Sequence, residues 1–151
     1  MRTLAIGPWT WALRLDIDAM ERCAAAGADL SEILSGKSNL LLRLRGDPML
    51  VARVLWAICE PQAIAAQVAA EQFRAALTPQ ILAEAKSLLR DEIIDFFSEF
   101  DPEAAKPLRR WVEASRKIEA KIGNLIAQAP ERSSGTPLTD APESSESPPA
   151  G

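Results

Sequence analysis

Four carboxylates in the second half of the chain are the residues best placed to do chemistry together. Asp91, Asp95 and Glu99 follow one another at intervals of four, with Glu92 beside them. On a helix this spacing puts carboxylates on one face, where they can bind a divalent cation or act as a general acid and base. However, the chain has no EF-hand loop and no second carboxylate helix of matching spacing. The pattern therefore favours a solvated helix face opposite an apolar stripe.

Most catalytic and metal-binding arrangements are excluded because the chain contains no histidine. A Ser-His-Asp or Cys-His arrangement, an imidazole general base and an ordinary zinc site each lack a necessary group. The glycines are scattered and form no phosphate-binding loop. Cys23 and Cys59 are predicted to be reduced and buried, with a disulfide as the alternative. The chain is therefore predicted not to be an enzyme and to use no catalytic residue, cofactor or metal.

The charge balance weighs against a polyanionic partner. The chain of 151 residues has 17 basic and 21 acidic side chains, which gives a net charge of -4. Basic residues cluster along Lys37–Arg53 and Lys106–Lys121, where they could meet a phosphate backbone or an acidic partner. Such residues belong more often to solvated helix faces. No nucleic-acid partner is expected.

Neither a membrane span nor a secretory signal is predicted. Residues 61–70, the region of lowest charge, are too few and too weakly apolar to span a bilayer. Gly7, Pro8 and Thr10 occur where a signal peptide would be continuously apolar. A cytoplasmic protein with no membrane partner is expected.

The beginning of the chain has the pattern of a β-hairpin, predicted over residues 3–17. A β-prone run precedes the turn signal Gly7-Pro8, and apolar and polar residues then alternate. An isolated hairpin is marginal in water, so it must pack on helices. Trp9, Trp11 and Leu13 share one face, which either covers the helical core or leaves aromatic surface exposed for a partner. These three residues are the candidate partner-binding residues.

Helices are predicted for most of the remaining chain. Asp47-Pro48, Thr78-Pro79 and Asp101-Pro102 each combine a capping side chain with a proline, which marks a helix start. Asp18 is assigned as the cap of the first helix, and Pro61 as the end of the helix that begins at Pro48. The predicted helices cover about residues 18–27, 48–60, 63–76, 79–100 and 103–127, and the third is either continuous or broken once.

Apolar residues in the two longest predicted helices recur at steps of three and four. The stripe in the first of them is predicted to face the core, and the stripe in the second is heptad-like. The first stripe consists of Leu82, Ala85, Leu89, Ile93, Phe96 and Phe100. The second consists of Leu108, Trp111, Ser115, Ile118, Ile122 and Leu125. Residues 38–45 fit either a strand or a helix.

The composition changes sharply at Ala129. Residues 129–151 are rich in proline, serine and acids, so they are predicted to be a disordered tail. The tail is either solvated or serves as a docking peptide or a linker. Residues 1–128 are predicted to form a single domain. The predicted fold class is mainly α with a short N-terminal β-hairpin (α+β), a compact helical domain followed by the tail.

Several short sequences occur in a recognisable order along these elements. An acid-capped helix follows the hairpin, then come a brief leucine segment, an apolar helix and a long helix preceded by Phe…Leu-Thr-Pro. The sequences are Leu15–Glu21, Gly27, Leu30–Leu34, Leu55-Trp56-Ala57, Phe73–Pro79 and Phe96-Phe97. Over Thr3–Phe100 the chain resembles the small tail assembly chaperones of long-tailed phages, including those of gene-transfer-agent clusters. Its Gly7-Pro8-Trp9 turn departs from the polar, glycine-rich turn usual in that family.

The resemblance implies a non-enzymatic role in the cytoplasm of a bacterial host. Such chaperones coat the long, apolar tape measure protein, keep it soluble and recruit the tail tube protein, and they are absent from the finished tail. Contacts are expected from the hairpin face and from the exposed edges of the helices that begin at Pro48 and Pro79. The alternatives are a small cytosolic helical adaptor or regulatory module and a minor structural phage protein.

Removal of residues 130–151 is expected to leave the fold and the melting temperature unchanged. Leu138 is the one bulky apolar residue in this segment, so its deletion removes almost no buried apolar area. Thermal unfolding of the full and truncated chains, followed by circular dichroism, checks this. If the truncated chain melts several degrees lower, the tail is docked on the domain.

Overall fold

The chain forms an N-terminal β-hairpin and then only helices in the part that the structure describes. A computed structural model describes residues 2–36 and 39–128. The strands are β1 (Arg2–Ile6) and β2 (Trp9–Leu13), and a 3₁₀-helix (Leu30–Ser35) follows the first α-helix. The α-helices are α1 (Ile17–Ala25), α2 (Leu40–Gly46), α3 (Pro48–Ala65), α4 (Ala70–Ala75), α5 (Pro79–Phe100) and α6 (Pro102–Gln128). This confirms the predicted fold class, mainly α with a short N-terminal hairpin.

The chain divides into two compact units, Met1–Leu108 and Arg109–Gly151. The main hydrophobic core belongs to the first unit. The single domain predicted over residues 1–128 stays a prediction. The predicted tail, residues 129–151, lies outside the described residues.

The hairpin has the predicted alternation of buried and exposed side chains as far as Leu13, where β2 ends. The predicted end at residue 17 is wrong, because Ile17 begins α1 and is exposed. β1 and β2 pair antiparallel around the two-residue loop Gly7-Pro8. Gly7 has a φ of +60°, and a Cβ at this position would lie 3.2 Å from the Cβ of Ala76, so the loop needs glycine on both counts. The side chains that the hairpin buries in the core are Leu4, Ile6, Trp11 and Leu13.

All three predicted cap-and-proline helix starts are confirmed. A side-chain oxygen of Asp47 accepts from the N–H of Leu50 at 3.1 Å, and Thr78 Oγ1 accepts from Ile81 at 3.2 Å. Asp101 accepts from the N–H of Ala104 at 3.1 Å. Each bond satisfies one of the amide groups that a helix start leaves without an intrahelical acceptor.

The prediction that Pro61 ends a helix is wrong, because α3 continues through it to Ala65. Proline has no N–H, so the carbonyl of Ala57, four residues earlier, loses its intrahelical donor. The guanidinium of Arg22 on α1 supplies the missing hydrogen bond, with its Nε 2.6 Å from the Ala57 oxygen. A side chain from another helix therefore satisfies the backbone group that Pro61 leaves unpaired.

The residue after Pro61 attaches the hairpin to α3. The side-chain amide of Gln62 accepts from the backbone N–H of Ala12 at 2.9 Å and donates to the Ala12 carbonyl at 2.8 Å. This pair of bonds imitates a neighbouring strand at the open edge of β2, whose backbone would otherwise be unpaired. The extension of α3 beyond Pro61 is therefore what covers the sheet edge.

α3 is the helix around which the first unit is built. It contacts α1, α2, α4, α5 and β2. Its buried residues occur on most of its circumference, which explains why it is apolar almost throughout. They are Leu50, Val51, Val54, Leu55, Ala57, Ile58, Cys59 and Ala63.

Three other predicted boundaries differ from the structure. The cap of α1 is Asp16, which accepts from the N–H of Ala19 at 2.8 Å, and not Asp18. The predicted helix 63–76 is broken once, because α3 ends at Ala65 and the chain turns at Gln67, with φ +57°, before α4 begins at Ala70. The ambiguous segment 38–45 is helical from Leu40, and residues 37 and 38 lie outside the described part of the chain.

The apolar stripes of the last two helices are only partly buried. On α5 the buried series keeps a step of four, through Ala85, Leu89, Ile93 and Phe97. Phe97 takes the core position at the end of this series, so the prediction that Phe100 faces the core is wrong, and Phe100 is 75% exposed. In α6 the stripe residues Ile118, Ile122 and Leu125 are all exposed.

Arg22→Met is expected to destabilise the protein by about 1–3 kcal/mol, because the Ala57 carbonyl would be left buried without a donor. The same substitution should cost much less in a Pro61→Ala background, where the alanine N–H can bond Ala57. Urea unfolding of the single and double variants measures this coupling. Arg14→Met, at an exposed arginine, is the matched control. Equal costs of Arg22→Met in both backgrounds would contradict the assigned role of Arg22.

Candidate partner-binding surface

The structure buries two of the three candidate partner-binding residues. Trp11 and Leu13 are 2% and 0% exposed, whereas Trp9 is half-buried. The Trp11 ring packs against Phe73 of α4 at a centroid distance of 5.5 Å, and Phe73 packs in turn against Trp56 at 5.2 Å. This face of the hairpin therefore belongs to the core. Partner binding by these three residues stays a prediction. Of the three, Trp9 alone has surface that a partner could reach.

Neither the hairpin edge nor the indole of Trp11 presents a ready docking point. The Trp11 N–H is buried and has no hydrogen-bond partner within the described chain. The outward N–H and carbonyl of Ala12 on β2 are taken by Gln62. A partner strand could pair at Ala12 only after it had displaced that side chain.

Two of the four carboxylates on α5, Glu92 and Asp95, attach β1 to this helix. Arg2 of β1 reaches Glu92 and Asp95 with its two terminal nitrogens, each at 2.7 Å. These hydrogen bonds raise the pKa of Arg2, with Asp95 the larger contributor and Glu92 the next. In residues 2–36 and 39–128 no group of three or more acidic, cysteine or histidine side chains could hold a metal ion. These two carboxylates therefore fasten the first strand to α5.

Two adjacent apolar grooves lie at the other end of α3, where α3 and α5 begin. The first has a volume of about 440 Å³ and the second about 430 Å³. Both are lined by Pro48 and Leu82, which form the boundary between them. We call the two together the groove surface. Its main apolar lining residues are Leu44, Pro48, Met49, Val51, Leu77 and Leu82.

The groove surface presents apolar atoms that the fold does not bury. Met49, in the first turn of α3, is 64% exposed and lines the second groove. Pro48 and Pro79 are exposed, and Leu82 is half-buried between them. An exposed apolar depression of this kind typically marks a binding site. The sequence indicated only the two helix starts. It did not single out Met49, which directly precedes the buried residues Leu50 and Val51 of α3.

Four basic side chains surround the groove surface. Arg45 and Lys86 line the first groove, and Arg53 and Arg74 line the second. None of the four takes part in an ion pair with any residue that the structure describes. The single carboxylate in the lining, Asp47, caps α3. The rim of this apolar surface is therefore positively charged, although the whole chain has a net charge of -4.

The second unit carries an apolar stripe of its own. Ile118, Ile122 and Leu125 are 50%, 49% and 64% exposed, at spacings of four and three along α6. Such spacing puts the three side chains on one helix face. The charges around this stripe are mostly basic, including Lys117 and Lys121. It is a second, separate surface on which a partner helix could pack.

The two cysteines are free and buried in the core. Burial raises the pKa of Cys23 to about 11 and that of Cys59 to about 12. Both thiols therefore stay protonated at neutral pH and are poor nucleophiles. They pack as small apolar groups, as predicted.

The free energy of unfolding is expected to fall as the pH rises from 9 towards 11 and 12. The unfolded chain loses thiol protons above its pKa of 9.0, while Cys23 and Cys59 in the folded chain retain theirs up to about 11 and about 12. Once both states are deprotonated, the loss is on the order of 3 kcal/mol for Cys23 and on the order of 4 kcal/mol for Cys59. Urea unfolding across this range should show a flatter profile for the double Cys→Ala variant. No tyrosine titration interferes, because the sequence contains none. An equally steep profile in that variant would refute the assignment.

The comparisons leave the interpretation to the geometry of the chain itself. No protein-family model, no curated protein and no solved structure matches this chain. Among the described helices, none combines the length and the apolar character needed to cross a membrane. The groove surface, apolar within and basic at its rim, is the site that best fits a binding function.

Proposed function

We propose that this protein is a tail assembly chaperone that binds the tape measure protein of a phage or prophage and assists tail tube assembly. The observation that carries the proposal is the groove surface, where Met49 is 64% exposed beside the partly buried Leu77 and Leu82. The element order over Thr3–Phe100, a hairpin followed by capped helices, supports it. The proposed role is non-enzymatic and takes place in the bacterial cytoplasm.

The physical requirement of such a role is reversible coverage of apolar helices. A tape measure protein before assembly exposes apolar stripes that would otherwise aggregate. Insertion of a few stripe residues into the grooves beside Leu82 removes apolar area from water, at about 25 cal/mol per Å². Because each groove has a volume of only about 440 or 430 Å³, contact at each copy stays modest, and many copies along the tape measure can hold it and later leave. Tail tube subunits are the second proposed partner.

A helical adaptor remains the second candidate, and the stripe on α6 favours it. Ile118, Ile122 and Leu125 could dock on one partner helix without use of the groove surface. An adaptor of this kind would bind one partner in a fixed ratio. A minor structural phage protein, the third candidate, would be found by mass spectrometry in purified particles, where an assembly chaperone should be absent.

Co-expression is expected to move the tape measure protein encoded beside this gene from the insoluble to the soluble fraction. Met49→Asn should reduce the soluble amount several-fold, because it places an amide in the second groove. Ile64→Asn is the matched control, since Ile64 lies on the same helix, is 68% exposed and lines neither groove. Circular dichroism verifies that both variants fold. Equal insolubility of the tape measure protein with and without the wild-type chain would refute the proposed function.

A further inference from the structure

We infer that the groove surface selects an amphipathic helix whose apolar stripe is flanked by carboxylates. The inference rests on the proposed function for its site and adds the chemistry of the partner. Three features of the first unit carry it: the shape of the lining, the charges at the rim and the two helix starts beneath.

The lining fits the side chains of one helix face. The two grooves share Pro48 and Leu82 in their linings, so they adjoin one another at these residues. Side chains at positions i, i+3 or i+4 and i+7 of a helix project in a row along one face. Such a row can place successive apolar side chains on either side of Leu82.

The rim supplies complementary charge on both grooves. Arg45 and Lys86 border the first, and Arg53 and Arg74 border the second. Nζ of Lys86 lies 3.4 Å from the backbone carbonyl of Arg45, which holds its ammonium group at the groove. Since no described carboxylate pairs with these four cations, a partner that lacks acids would leave all of them without a counter-charge.

The N-termini of α3 and α5 add to the positive electrostatic potential at the grooves. α3 and α5 both begin at prolines that line the first groove, Pro48 and Pro79. The N-terminus of a helix carries a partial positive charge, so both helices reinforce the field of the rim. Asp47 compensates part of this field, but its carboxylate already accepts from Leu50.

Other acidic or anionic occupants fit these observations less well. A nucleic acid offers phosphates to the rim but no apolar side chains for the lining around Val51 and Leu82. A lipid surface is flat, whereas the apolar atoms here line a depression. The acidic segment 129–151 of this chain has Leu138 as its one bulky apolar residue, so it lacks a stripe.

The test uses two synthetic, fluorescein-labelled helical peptides with identical leucine stripes. One carries glutamates on both flanks of the stripe and the other carries lysines at the same positions. Anisotropy titrations with the full chain at 50 mM salt should show about tenfold tighter binding of the glutamate peptide, as expected for several exposed ion pairs acting together. At 300 mM salt the difference should shrink, because salt screens exposed charges.

Charge reversal assigns the preference to the rim. Arg53→Glu combined with Arg74→Glu should abolish or invert the preference for the glutamate peptide. The average affinity for the two peptides should change little, because both keep the same leucine stripe. Arg14→Glu combined with Arg43→Glu is the matched control, since both arginines are exposed and line neither groove. Circular dichroism verifies the fold of each variant.

Several results would overturn the inference. One is equal affinity for the two peptides, and another is a preference for the glutamate peptide that remains in the variant with Arg53→Glu and Arg74→Glu. A third is displacement of the glutamate peptide by a short RNA or by vesicles of anionic lipid at similar concentrations. Binding that occurs only after removal of residues 129–151 would assign the groove to the chain's own tail and overturn it too. A solubilised tape measure protein without peptide preference would refute the inference alone, whereas peptide preference without solubilisation would refute the proposed function alone.

Discussion

The attachment of the hairpin to α3 depends on the hydrogen bond between Arg22 and the Ala57 carbonyl. Pro61 deprives this carbonyl of its helical donor, and a buried carbonyl without a donor costs about 1–3 kcal/mol. With the guanidinium in place, α3 continues for another turn. That turn carries Gln62, whose amide holds the edge of β2. One interhelical bond thus keeps α3 continuous and allows the hairpin to attach.

The continuity of α3 separates the core-forming end of the first unit from its binding end. At the C-terminal end of α3, the hairpin, Gln62 and the aromatic rings around Phe73 close the core. At the N-terminal end, Pro48 and Met49 open onto the grooves. The tryptophan-rich face of the hairpin looks like a binding surface in the sequence, but the core needs it, because a two-stranded sheet is unstable unless it is packed on one face. In the first unit, the groove surface, where α3 and α5 begin, is therefore a better candidate for a partner than the tryptophan face of the hairpin.

The parts of this structure that the sequence predicts are those set by neighbouring residues. Asp47, Thr78 and Asp101 each precede a helix and accept a hydrogen bond from the N–H three residues later. Their roles can therefore be inferred from nearby positions in the sequence. Pro61 could not be interpreted in this way, since its effect depends on an arginine 39 positions earlier in the sequence. The grooves were indicated only by their two helix starts. Their shape depends on how α3 and α5 pack, and Arg74 reaches the rim from α4, whose start at Ala70 the sequence did not predict.

The basic rim also opposes self-association through the exposed apolar surface that it surrounds. Two copies that meet groove to groove would bring Arg45, Arg53, Arg74 and Lys86 of each against the same cations of the other. Like charges that face one another across an interface weaken association, and more so as apolar contact excludes water. The same four cations strengthen contact with an apolar helix that carries acids. The basic rim therefore weakens self-association and strengthens binding of an acidic, apolar helix. Because copies of the chain repel one another at this surface, Met49 and Leu82 remain accessible to such a partner.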